Sequence, residues 1–151
     1  MTYRSEIFEL SDTYIDQSAA MSPMSCTYLG KDVDQDKLDD LSIAGMAKAA
    51  TLTREVLKKL QALTPIDEID RIAKTVMEER LSSSLALHDS QEEHVLWNVL
   101  TSPPSNIRSI FELMPKKNEK DFANIALRLV AVETAHKQWV STISEVAKSG
   151  K

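Results

Sequence analysis

The chain has one cysteine, three glycines, three histidines and 5% aromatic residues in 151 positions. A lone Cys26 forms no internal disulfide, so packing must hold the fold together. With so little glycine, collagen-like and linker-rich classes drop out, and no Gly-rich phosphate loop occurs. Positive charge is outweighed by negative. Eighteen Lys and Arg against 23 Asp and Glu give a net charge of −5. No basic cluster stands out, which argues against a general nucleic-acid binder. No run approaches the roughly 20 apolar residues needed to span a bilayer, so no membrane partner is expected. Met1 to Leu10 lacks a basic region followed by an apolar stretch, and a cytoplasmic location is expected.

What the chain does have is helical patterning. Hydrophobic residues make up 42% of it. At this size about two thirds of the unfolded surface can be buried, enough for a single domain spanning 1–151. The spacing predicts a helix from about Arg4 to Met21 that Pro23 ends. An ordered loop runs from there to Asp40 and carries five aspartates. Ser42 is placed to cap a helix reaching about Leu63, in which Gly45 and Ala49 would let a neighbouring helix come close. Thr64 and Pro65 then open a long helix to about Leu96, about 45–50 Å at the usual rise, expected to be a spine joining two layers. Pro103-Pro104 breaks the pattern before a short helix, Asn106 to Met114. Asn118 caps the last helix, with Phe122, Ile125, Ala126, Leu129, Val132, His136, Val140 and Ile143 as its expected buried stripe. Four long amphipathic helices and one short one make an all-α bundle the expected architecture.

Few residues suggest chemistry. Asp32, Asp34 and Asp36 resemble the opening of a calcium loop, but the position that needs Gly is Lys37 and the one that needs Glu is Ile43, which favours a solvated acidic loop. Glu133 and His136 have the Glu-x-x-His spacing of carboxylate-bridged di-metal bundles, which require two copies; one is present. His136 reads more simply as a core histidine between Val132 and Val140. His88 lies on the apolar side of its helix one turn before Glu92, and that pair offers two metal ligands, too few for a zinc site. His88, Glu92, Glu133 and His136 are therefore the candidate metal residues, ranked below structural roles, and no cofactor is expected. His94 reads as solvated near a helix end. Arg80 reads as a stem lying on the apolar stripe with an acidic partner. Neither Cys26 nor Ser82, Ser83 and Ser84 has an evident base in sequence, so nucleophilic catalysis has no support.

A set of landmarks runs along the chain: Pro23, Thr27-Tyr28-Leu29-Gly30, Leu38-Asp39-Asp40-Leu41-Ser42, Asp70-Arg71, and Asn98 to Pro115 with Phe111-Glu112-Leu113-Met114-Pro115, then Arg128-Leu129. In this order they resemble the N-terminal region of the bacterial family called domain of unknown function 885. Full-length members of that family resemble zinc metallopeptidases whose His-Glu motif lies in a later portion, so the resemblance implies no catalytic residue here. It implies a non-catalytic helical part that packs beside a catalytic region and walls its substrate cleft. The alternative is a stand-alone helical interaction module, and ranked below it a small metal-binding bundle using Glu133, His136 and His88. The family pattern often has Pro at the position of Glu133; here the last helix can continue. Ser149-Gly150-Lys151 leaves a helix directly, which suits a piece of a longer architecture. An apolar face left uncovered would favour a homodimer.

Overall fold

Side-chain caps set where the helices begin. In a computed structural model describing residues 5–148, Ser5 Oγ accepts from the Phe8 amide at 3.3 Å and opens α1 (Glu6–Met21). Ser22 Oγ accepts from the Ser25 amide at 3.1 Å and, with Pro23 in the first position, starts a short α2 (Pro23–Tyr28). Ser42 does the same for α3 (Ile43–Ala62), accepting from Gly45. Asp67 opens α4 (Glu68–Asp89), a 3-10 turn follows at Glu92–Val95, and then α5 (Pro103–Leu113). Asn118 Oδ1 accepts from the Asp121 amide at 3.0 Å at the head of α6 (Glu119–Lys148). The expected helix start at Arg4 and the Ser149-Gly150-Lys151 exit lie outside the described residues.

No strand occurs among the described residues, and the all-α bundle is what the chain forms. Two apolar clusters hold it. Ile7, Val56, Leu60 and Leu81 join α1, α3 and α4, while Met24, Ile107, Ile110 and Ala135 join α2, α5 and α6. No described helix is long and apolar enough to cross a membrane.

Three expectations about the helices change. First, the stretch from Thr64 to Leu96 is not one spine. Asp67 caps the Asp70 amide at 2.8 Å, and Asp70 reaches back to accept from the Ile66 amide at 3.2 Å. This reciprocal pair starts α4 later than Thr64-Pro65 suggested. At the far end, Gln91 takes a left-handed conformation (φ 64°, ψ 10°) and its amide bonds the His88 carbonyl, which stops the helix. The longest element is instead α6, with 30 residues against 22 in α4. Second, the neighbour that comes close to Gly45 is a loop. A Cβ added there would lie 2.3 Å from the Asp40 carbonyl oxygen, while Ala49 is exposed. Third, the segment after Pro23 begins with α2; six residues are too short to show helical periodicity.

The largest change is the register of α6. Its buried residues are Asp121, Arg128, Ala135, Trp139, Thr142 and Val146. Of the stripe expected inside, Phe122, Leu129 and Val140 are 57%, 61% and 57% exposed. The helix is thus turned by roughly 100°, one residue's worth, from the orientation its hydrophobic pattern suggested. Polar anchors account for the turn. Arg128 donates to Thr27 Oγ1 at 2.9 Å and to the Asp34 carbonyl at 3.0 Å, and Thr142 donates to the Leu41 carbonyl at 2.9 Å. These bonds tie α6 to α2 and to the aspartate-rich loop, and buried polar groups must be satisfied before apolar ones are counted.

Candidate functional site

The end of α4 and the 3-10 turn bring two of the three histidines together. Chain reversal at Gln91 folds Glu93 and His94 back over the last turn of α4, where His88 sits. His88 Nδ1 lies 2.6 Å from Glu93 Oε1 and 3.3 Å from His94 Nε2, and His94 Nε2 is 3.5 Å from the same Glu93 oxygen. The two imidazoles meet edge to face, with centroids 5.0 Å apart. Among the described residues this is the group of three metal-capable side chains whose ligand atoms converge.

His94 is buried at 3% exposure, not solvated as its place near a helix end suggested. The helix has already ended at Asp89, so the 3-10 turn points His94 inward and Glu92 outward. Glu93, not Glu92, is therefore the carboxylate that His88 meets; helical spacing extrapolated past Gln91 picks the wrong neighbour. His94 Nδ1 is buried without a protein hydrogen-bond partner. Burial pushes the His94 imidazole below its ordinary pKa, the Glu93 carboxylate opposes this, and His88 adds to it.

A testable consequence concerns pH. The unfolded chain takes up a proton on His94 near 6.5, while the folded chain resists it to a lower pH. The stability linked to this group is present above pH 6.5 and is lost as pH falls through the folded value. Urea midpoints measured between pH 7.5 and 5.5 should fall for the wild type and fall less for His94→Gln.

His88 and Glu93 also form part of the wall of a cavity of about 580 Å³ between α1, α3 and α4, which Tyr14, Asp39, Met46 and Ser84 help to line. Asp39 Oδ1 accepts from the Met24 amide at 2.9 Å and Oδ2 accepts from Ser22 Oγ at 2.7 Å. Burial raises the Asp39 carboxyl above its usual range, against these bonds and the positive charge of Arg128. The cavity wall mixes polar side chains such as Asp39, His88 and Glu93 with apolar ones such as Met46 and Leu85, the usual composition of a small-ligand site.

The other candidates do not join this group. Glu133 is exposed and pairs with Lys137 at 2.6 Å. His136 lies beside it, half-buried, with Nε2 buried and without a hydrogen-bond partner. It is not enclosed between Val132 and Val140, because Val140 faces out. The three aspartates of the acidic loop diverge: Asp32 pairs with Lys120 at 3.0 Å and Asp34 with Lys37 at 2.6 Å. Arg80 pairs with Glu79, as expected, but its stem is exposed. Cys26 is buried and donates to the Ala19 carbonyl at 3.1 Å. Arg128 is wholly buried and acts as a structural polar centre, a role the sequence does not signal because one arginine in a helix carries no mark of burial until its partners are placed.

The fold and this cluster define a helical-bundle protein with one His-Glu-His convergence and no strand among its described residues. Over residues 23–151 the chain matches the family described as Bacterial protein of unknown function (DUF885). It belongs to that family. Comparison with curated proteins gives no match.

Proposed function

We propose that this chain is a non-catalytic helical part of a metallopeptidase-like architecture, and that the outer face of α6 is where it packs against the catalytic region and walls its substrate cleft. The observation carrying this is that face itself. Phe122, Leu129, Val130 and Val140 are 57%, 61%, 77% and 57% exposed on one helix. Large apolar side chains exposed together on one helix, with the Glu133–Lys137 pair lying between Leu129 and Val140, are unusual on a free surface and mark an interaction site. The resemblance of its landmarks to the N-terminal region of a larger family supports the nature of the partner. Arg128 and Thr142 supply the physical reason the strip stays open, since their bonds commit the opposite side of α6 to the bundle.

Two measurements test the proposal. The isolated chain should dimerise through the strip in sedimentation velocity at high concentration. Leu129→Lys should return it to monomer with a stability change within about 0.5 kcal/mol, since the residue is exposed. If the coding frame continues past Lys151 into a His-Glu zinc motif, that region expressed separately should bind this chain and lose the binding in Leu129→Lys. A wild type that stays monomeric and ignores that region would refute the docking role.

A further inference from the structure

We propose that His88 Nδ1, Glu93 Oε1 and His94 Nε2 bind a divalent transition-metal ion of the zinc class, leaving one coordination position open to the cavity beside them. The site uses none of the α6 strip, so it stands or falls separately from the docking role.

The geometry is the first argument. Zinc binds imidazole nitrogen and carboxylate oxygen at about 2.0–2.2 Å, so ligand atoms around a tetrahedral ion sit roughly 3.3–3.5 Å apart. Two of the three separations already have this value, 3.3 Å between the imidazole nitrogens and 3.5 Å between His94 Nε2 and Glu93 Oε1. The third, 2.6 Å between His88 Nδ1 and Glu93 Oε1, is the length of a proton-bridged contact. When the ion takes the proton's place, the proton leaves to solvent and this edge opens by roughly 0.8 Å. Glu93 has room to move, because its side chain is 35% exposed on a short 3-10 turn.

The second argument is a count of protons. His88 Nδ1 has a single in-plane position, which holds either a proton or a lone pair. If it donates to Glu93, it cannot accept from His94; if it accepts from His94, its lone pair meets the carboxylate. If one His88 proton faces both neighbours, the His94 lone pair meets the Glu93 oxygen at 3.5 Å; with Glu93 ionised, no proton arrangement makes all three contacts favourable, and polar atoms left in conflict are costly. One cation at the point where the three atoms converge relieves all of them.

The donor set fixes the class of ion. Two imidazoles and one carboxylate suit zinc, cobalt or nickel. Calcium and magnesium prefer oxygen-only shells, and no thiolate is present to select soft ions. Three protein ligands with His88 and Glu93 on the cavity wall leave the fourth position facing that space, the arrangement that lets a water or a small anionic ligand exchange. A metal on Nε2 places the His94 ring proton on Nδ1, which has no protein acceptor, so affinity should fall short of sites whose histidines are oriented by an outer carboxylate.

The test uses the whole chain without a histidine tag, stripped with a chelator. Isothermal titration with Zn²⁺ should give one ion per chain, and Co²⁺ should give the intense visible bands of a four-coordinate N/O site. Glu93→Gln and His88→Asn should each weaken Zn²⁺ binding at least about tenfold. Both residues are partly exposed, so the fold survives their replacement, and circular dichroism of each variant verifies this; His94 is avoided because it is buried. Wild type without a stoichiometric Zn²⁺ site would overturn the proposal. Variants that bind as tightly as wild type would overturn it too, since the ion would then sit elsewhere.

Discussion

Arg128→Ala is expected to lower the free energy of unfolding by about 3–5 kcal/mol, while Leu129→Ala, one residue on, costs less than about 0.5 kcal/mol. Hydrophobicity alone ranks the two the other way. The Arg128 guanidinium is wholly buried and holds Thr27 Oγ1 and the Asp34 carbonyl; Thr27 in turn donates to Gln35 Oε1 at 3.0 Å. Burial pulls the Arg128 pKa below its ordinary value, and the Asp39 and Asp36 carboxylates oppose this, so the charge is kept by its surroundings. Removing it leaves a cavity, takes one of two donors from the Asp34 carbonyl, which keeps the Lys37 amide at 3.1 Å, and leaves a partly buried Asp39 whose main positive neighbour is gone. Arg128→Lys should recover part of the loss, because an ammonium keeps the charge but cannot reach two acceptors as a fork. The deficit of Arg128→Ala should also narrow in acid. The Asp39 folded pKa, already above 3.8, rises further without the guanidinium, and a raised carboxyl loses stability as pH increases through its folded value. Guanidinium unfolding at two pH values reads both effects. Equal costs at positions 128 and 129 would mean that α6 is turned the other way.

The second large effect is expected for Trp139→Ala, a loss of about 3–5 kcal/mol. Trp139 is buried at 3% exposure and stacks on Trp97, with ring centroids 5.0 Å apart and planes 11° from parallel. Trp97 is 76% exposed, so its own truncation should cost only about 0.5–1.5 kcal/mol from the lost stack. The asymmetry follows from position: Trp139 is buried on α6, and Trp97 stacks on it from the exposed side. These are the only two tryptophans, so near-ultraviolet circular dichroism reports the stack directly. Both variants should lose that signal, but only Trp139→Ala should shift the unfolding midpoint strongly. A large stability loss in Trp97→Ala would place the packing in the loop instead.

Much of the architecture can be read along the chain. Ser42 caps α3 where its position before an apolar-periodic run suggests, and Asn118 does the same for α6, because a cap is a bond between residues three apart. Pro23 and Pro103 act as stops and starts for the same local reason. Misreadings arise where two local signals compete. Thr64-Pro65 and Asp67 with Asp70 both offer a start for α4, and the reciprocal carboxylate cap prevails because Asp70 is also held by Ser5 Oγ, a partner 65 positions away. At the other end of α4, Val95 continues the apolar spacing, but Gln91 has already turned the chain. The same turn makes Glu93 the partner of His88 in place of Glu92, and buries His94.

The sequence by itself determined that this chain is helical, where most of its helices begin and end, and that it belongs with proteins sharing its landmarks. These follow from capping bonds and a 3.6-residue repeat, both contained within a few neighbouring positions. Only the tertiary structure decided which side of α6 is buried and which histidines meet. Apolar residues lie on more than one side of α6, so its orientation is set by Arg128 reaching Thr27 and Asp34, about a hundred positions away in sequence. The meeting of His88 with Glu93 and His94 likewise depends on a backbone reversal at Gln91 that no periodicity encodes.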